Sequence, residues 1–198
     1  MVAIPMFPLG SVLFPHTPLP LRVFEPRYLT MIGQLLDEED AQFGVVLIER
    51  GHEVGGGDRR SSIGTMARLV SVAAGAEVLH TVSVGTERFA VERWLDDAPY
   101  PLAEVTPLAA LEWHDGLIPL RAEAERIVRR TLAAAPEAQW GPDTELSDSP
   151  GAAAWQLAAI APLGEYDRYT LLQASTTGSL LRQVIDLTLE AELLWSAE

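Results

Sequence analysis

Six prolines fall within the first 26 residues, at positions 5, 8, 15, 18, 20 and 26. A proline fixes φ and has no N–H to give. It therefore breaks a helix interior and is tolerated in strands mainly at edges, first positions and turns. No long helix can form here. "IPMF" (4–7) and "LPLRVF" (19–24) read as two short edge strands, with "GSVLFPHTP" (10–18) as their connection.

From Pro26 the pattern changes period. Tyr28, Ile32 and Leu35 fall at i, i+4 and i+7, flanked by Met31 and Leu36, and predict a helix that ends in the polar "DEED" (37–40). With Glu25 as N-cap, Pro26 takes the first helical position, where its missing N–H costs nothing. Phe24 and Leu29 then have the spacing of a hydrophobic staple. Glu25 lies at the positive end of the helix dipole, a contribution of roughly 0.3–1 kcal/mol, and Arg27 can pair with it or with a neighbouring strand. Glu25 and Arg27 could instead be a catalytic acid and an anion clamp. The corner between strand and helix accounts for every residue in the stretch and is the preferred reading.

"FGVVLIE" (43–49) is short and apolar, a buried strand. "RGHEVGGGDRRSS" (50–62) is a loop by composition. "GTMARLVSVAA" (64–74), "EVLHTVSVG" (77–85) and "ERFAVERWL" (87–95) are rich in β-branched residues, with Gly75 at the first junction and "GTE" (85–87) predicting a hairpin-like turn at the second. "PLAEVTPL" (101–108) closes the β-rich part. Beyond residue 110 the period is helical. Leu120, Ala124, Ile127, Val128 and Thr131 form one stripe, and Leu180, Val184, Leu187, Ala191 and Leu194 form another. Between them Ser149-Pro150 predicts a helix start that Pro162 stops, and "EYDRYTLLQA" (165–174) predicts a further helix. The expected organisation is α+β, with a β-rich part at 1–110, a helical part at 111–198 and a Pro/acidic loop near 136–150.

Composition removes several chemistries. Cysteine is absent, and with it disulfides, thiolate metal sites and a cysteine nucleophile. Lysine is absent too, since all 14 basic residues are arginines. No Schiff base, serine–lysine dyad or phosphate-loop lysine can be built from this sequence. The formal net charge of −14 opposes a nucleic-acid partner, which requires a basic stripe. Arg59-Arg60 and Arg129-Arg130, the densest basic pairs, read as solvated surface. No apolar run is long enough to span a membrane. The start, "MVAIPMFPLG", has neither a basic n-region nor a cleavage site, so the expected location is the cytoplasm and no membrane partner is expected.

"IPMFPLGSVLFPHTPLPLRVFEPRYLTMI", "FGVVLIE", "IGTMARLVSV", "VSVGTERFAVERW" and "YPLAEVTPL" together resemble the LON domain. This is the amino-terminal substrate-binding domain of ATP-dependent Lon proteases, also found in cereblon and in free-standing bacterial proteins. The resemblance covers residues 4–108 well and the helical remainder more loosely. It implies a PUA-like β-barrel followed by a helical bundle. It also implies non-covalent binding of unfolded or tagged polypeptide, as an adaptor or holdase for a separate proteolytic machine. It does not imply proteolysis, because the serine–lysine peptidase chemistry of full Lon proteases needs a lysine. No cofactor is expected. An RNA-binding PUA-like module and a cryptic hydrolase are the alternative readings.

No residue pattern argues for catalysis. His16, His52, His80 and His114 have none of the i, i+4 spacing that builds a zinc site on a helix. His80 shares a strand face with Val78 and Val82 and reads as a core or rim residue. "GGGD" (55–58) is a flexible loop rather than a phosphate cradle, and no G-x-S-x-G occurs. Candidate peptide contacts are therefore aromatic groups on loops: Phe14 and His16 in the proline-rich connection, Trp94 and Tyr100 around "LDDAP", and Trp113 after the β-rich part.

Overall fold

The computed structural model describes residues 2–50, 59–135 and 139–195. They form two compact units, Met1–Ala110 and Leu111–Glu198. His52, "GGGD" and the start of the 136–150 loop lie outside the described residues.

The first unit contains β1 (Val2–Leu9), β2 (Pro18–Val23), α1 (Pro26–Leu35), β3 (Gln42–Arg50), β4 (Arg59–Ala74), β5 (Leu79–Trp94) and β6 (Leu102–Pro107). The sheet order is β2-β5-β4-β3-β1-β6, and β6 also pairs with β5. β1 explains how proline enters the sheet. Val2–Pro5 run antiparallel to β6, then Met6–Leu9 run parallel to β3. Each half of β1 thus has its own partner, and a proline in either half can turn its missing donor away from that partner. The expected short strand at 4–7 is one longer strand passed between two neighbours. β2 stands at the end of the sheet order, with Pro18 and Pro20 in register with Val84 and Val82 of β5.

β5 departs from the sequence reading. It runs unbroken from Leu79 to Trp94, straight through the "GTE" that predicts a turn. The register against β4 slips at this point, with Arg88 opposite Thr65 and Gly85 opposite Ala67, so one extra β5 residue is absorbed as a bulge. Gly75, in contrast, does mark a reversal: its N–H donates to the Val78 carbonyl at 2.7 Å between β4 and β5.

Two apolar clusters fill the unit. Phe7, Leu13, Leu19, Val23, Phe43 and Val45 meet Tyr28, Met31, Ile32 and Leu35, the buried face of α1. Met6, Val46, Phe89, Ala103 and Val105 form the other. The 10–17 connection is itself buried at Val12, Leu13 and Phe14, so its backbone must find partners. Thr65 Oγ1 donates to the Leu13 carbonyl and Thr17 Oγ1 to the Phe14 carbonyl, each at 2.6 Å. His16 N donates to the Gly85 carbonyl at 2.7 Å, and Gly85 N to the Thr17 carbonyl at 2.9 Å.

The second unit begins with a 3-10 turn (Asp115–Leu117), then α2 (Ile118–Ala134), α3 (Pro150–Ile160), α4 (Glu165–Leu172) and α5 (Thr177–Trp195). α3 is buried on nearly every side, through Ala152–Trp155 and Leu157–Ile160, as expected of a bundle's central helix. Ser149 occupies its N-cap position and Pro150 its first turn. α2 buries Ala124, Ile127, Val128, Thr131 and Leu132. α5 buries Leu180, Leu181, Val184 and Thr188, whereas Leu194 of the expected stripe is 71% exposed. Arg129 holds the loop before α3: its Nη1 donates to the carbonyls of Pro142 and Thr144, and its guanidinium pairs with Glu125. Among the described residues, no helix is long and apolar enough to cross a membrane.

Candidate functional site

The corner between β2 and α1 borders a concave surface on the first unit. Glu25 has extended backbone angles, Pro26 opens the helix, and the chain turns there as the sequence predicts. Glu25 makes no side-chain cap; its carboxylate accepts from Arg27 Nε at 3.1 Å. The Arg27 guanidinium in turn lies 4.6 Å above the Tyr28 ring. With Arg27 and Tyr28 held inward, Phe24 is left outside and is 58% exposed. Phe24 and Leu29 have staple spacing, yet both line an open pocket of about 920 Å³.

The other walls come from far along the chain. The Gly75–Val78 reversal forms one side, and Leu79 and His80 of β5 continue it. Arg22 and His80 are directly opposite each other in the β2–β5 ladder, and with Glu77 they border a hollow whose apolar part is made by Phe24, Leu29, Val78 and Leu79. His80 is exposed on this border and is a rim residue. The hollow offers exposed aromatic and aliphatic area, with Arg22, Glu77 and His80 as the polar groups of its lining.

The aromatic candidates lie elsewhere. Phe14 is 1% exposed and belongs to the core, so its ring offers no surface to a ligand. His16 is exposed and has a left-handed φ of 61°, set by the hydrogen bond of its N–H to Gly85. Trp94 is half-buried, with the Arg60 guanidinium 4.3 Å above its ring. Tyr100 packs against the α1 cluster, and its hydroxyl donates to Gln34 Oε1 at 2.5 Å. Trp113, in the second unit, donates from Nε1 to Asp115 Oδ1 at 3.2 Å. None of the five lines the pocket. Sequence reasoning missed Phe24 as a surface residue, although an aromatic immediately before a helix-opening Glu-Pro was visible.

No three His, Asp or Glu side chains converge as metal ligands among the described residues. The perturbed ionisations are structural. Burial pushes the Tyr28 phenol up to about 12, partly offset by Arg27. Burial likewise lowers Arg88 and Arg168, each of which donates to a main-chain carbonyl, of Ala109 and Ala159 respectively.

The family model of the ATP-dependent protease La (LON) substrate-binding domain matches residues 3–190. A Lon N-terminal domain protein from Xanthomonas campestris has a similar crystal structure: TM-score 0.68, 29% identity, covering 94% of this chain and 98% of that one. The N-terminal domain of Mycobacterium avium complex Lon protease matches with a TM-score of 0.67 at 18% identity, covering 96% and 99% of the two chains, and so shares the fold. No curated protein sequence matches the chain.

Proposed function

The chain belongs to the Lon substrate-binding domain family, and from that premise we propose that it binds extended, apolar polypeptide segments without catalysing their cleavage. The observation that carries this reading is Phe24, held 58% exposed beside a pocket of about 920 Å³. A monomeric surface seldom leaves a large aromatic open beside concave apolar walls unless something covers it. Folded proteins bury the side chains that would fill such a hollow, so the pocket favours chains that are not folded. The pairing of β6 with both β1 and β5 supports the PUA-like barrel. An adaptor or holdase role in the cytoplasm follows from the same reading. The net charge of −14 disfavours an RNA ligand.

Replacing Phe24 with Ser tests the assignment. The ring is mostly exposed, so the thermal midpoint is expected to stay within a few degrees of wild type, because surface substitutions cost within about 0.5 kcal/mol. Affinity for an unfolded polypeptide is expected to fall about tenfold or more, the scale of losing one aromatic anchor. Unchanged affinity would remove the pocket from the proposal.

A further inference from the structure

Another concave surface of the first unit differs in its border. It is a pocket of about 400 Å³ in which Phe89 and Val105, only 1% and 5% exposed, lie beneath the half-buried Ile4 and Met66, which give its floor the accessible apolar surface. These residues come from β5, β6, β1 and β4, so the floor is part of the sheet itself. Around it stand three carboxylates, Glu38 and Asp40 from the turn after α1 and Glu87 from the β5 bulge. Asp40 is engaged by Arg68 at 3.1 Å. Glu38 and Glu87 have no ion-pair partner among the described residues. Arg88 is the one basic residue in the lining. It is 7% exposed, and its Nη2 donates to the Ala109 carbonyl at 3.3 Å, so its charge is directed into the backbone rather than at the opening.

We infer that this pocket takes an apolar side chain that is followed or preceded by Arg or Lys in an extended polypeptide. The apolar floor accepts the first, and the charge of Glu38 and Glu87 complements the second. An acidic neighbour would meet like charge at the same border, so the pocket sorts segments by the charge beside their apolar residues. The inference rests on the polypeptide-binding reading and adds to it a second contact surface and the sequence class that surface prefers.

The test uses the full chain and three fluorescein-labelled peptides with the same Leu/Phe centre, flanked by arginines, serines or glutamates. Anisotropy is read at physiological ionic strength, where charges beyond about 8 Å are largely screened. The arginine-flanked peptide is expected to bind about five- to tenfold more tightly than the serine-flanked one, the sum of two exposed charge pairs. Glu38→Gln with Glu87→Gln should abolish that preference. Asp186→Asn with Glu190→Gln, which removes two exposed carboxylates of α5, should leave it intact. Equal affinity for the three peptides overturns the inference while the polypeptide-binding reading stands. Equal loss of preference in both double variants also overturns it, because the net charge would then be the cause. Binding of none of the peptides overturns both.

Discussion

The phenol ring of Tyr28 lies flat on the ring of Phe7, their centroids 3.9 Å apart and their planes 9° from parallel. This stack joins the first turn of α1 to β1 and fixes the corner from which Phe24 projects. Aromatic pairs contribute about 0.5–1.5 kcal/mol beyond the area they bury. The Arg27 guanidinium covers the outer part of the Tyr28 ring, so the phenol has little access to water.

Stability in alkali should therefore depend on Tyr28. Its folded-state value, about 12, lies above the ordinary phenol value of 10.0. Below the ordinary value the phenol is protonated in both states and contributes no pH dependence. As pH rises through the interval the unfolded chain ionises first, so stability falls until the folded value is passed. Tyr28→Phe removes this contribution. Between about pH 9.5 and pH 11.5 the variant should lose roughly 2 kcal/mol less than wild type, read from urea midpoints at each pH. An identical loss in both proteins would show that the phenol is not protected.

Gly85→Ala should destabilise the first unit. A Cβ there would overlap the Phe14 carbonyl oxygen and crowd the Leu13 side chain. The colliding atom is a backbone oxygen that accepts from Thr17 Oγ1, in a segment tied to Gly85 by His16 N–H donating to the Gly85 carbonyl and Gly85 N–H donating to the Thr17 carbonyl, so it cannot swing aside. A cost of about 2–3 kcal/mol is expected, the upper range for overpacking. Urea denaturation measures it; a cost no greater than that of Gly33→Ala, which meets open space, would contradict the account.

Thr81→Val should be neutral or stabilising. Thr81 is 2% exposed, and its hydroxyl has no hydrogen-bond partner among the described residues. Valine keeps the shape and removes a buried polar atom whose desolvation costs about 1–3 kcal/mol when unsatisfied. Differential scanning calorimetry should show an unchanged or higher midpoint. A clear drop would mean that the hydroxyl is bonded in solution.

Arg129→Ala should loosen the chain before α3. The side chain bonds Pro142 and Thr144 carbonyls and pairs with Glu125 on its own helix. Its loss leaves those carbonyls to water and costs about 1–3 kcal/mol, as hydrogen bonds to charged groups do. Hydrogen exchange should rise in 141–147 while α2 stays protected. Uniform protection in the variant would argue that the loop is held by other contacts.

Local rules carried the reading wherever local chemistry decides structure. Pro26 fixes the helix start because its ring permits no other position, and Ser149-Pro150 works in the same way. "GTE" misled because a glycine before two polar residues signals a bulge and a turn equally. The choice was made by Leu13–Thr17, a segment about seventy residues earlier that bonds to Gly85. Phe24 and Leu29 have staple spacing, but spacing says nothing of the Gly75–Val78 reversal that opens a hollow beside them. Trp94 ends β5 and Tyr100 lies in the turn after it, and only the structure shows Arg60 and Gln34 beside them. Neither pocket could be read from the sequence, since each is assembled from segments that meet only in the sheet.

The central claim is that this domain recognises polypeptide that is not folded. A fluorescence-anisotropy titration with one labelled polypeptide, in a permanently unfolded form and in its folded form, tests it most directly. Saturable binding of the unfolded form, with the folded form at least about tenfold weaker, is the predicted result. Equal binding of the two forms, or none of either up to high micromolar protein, would contradict it.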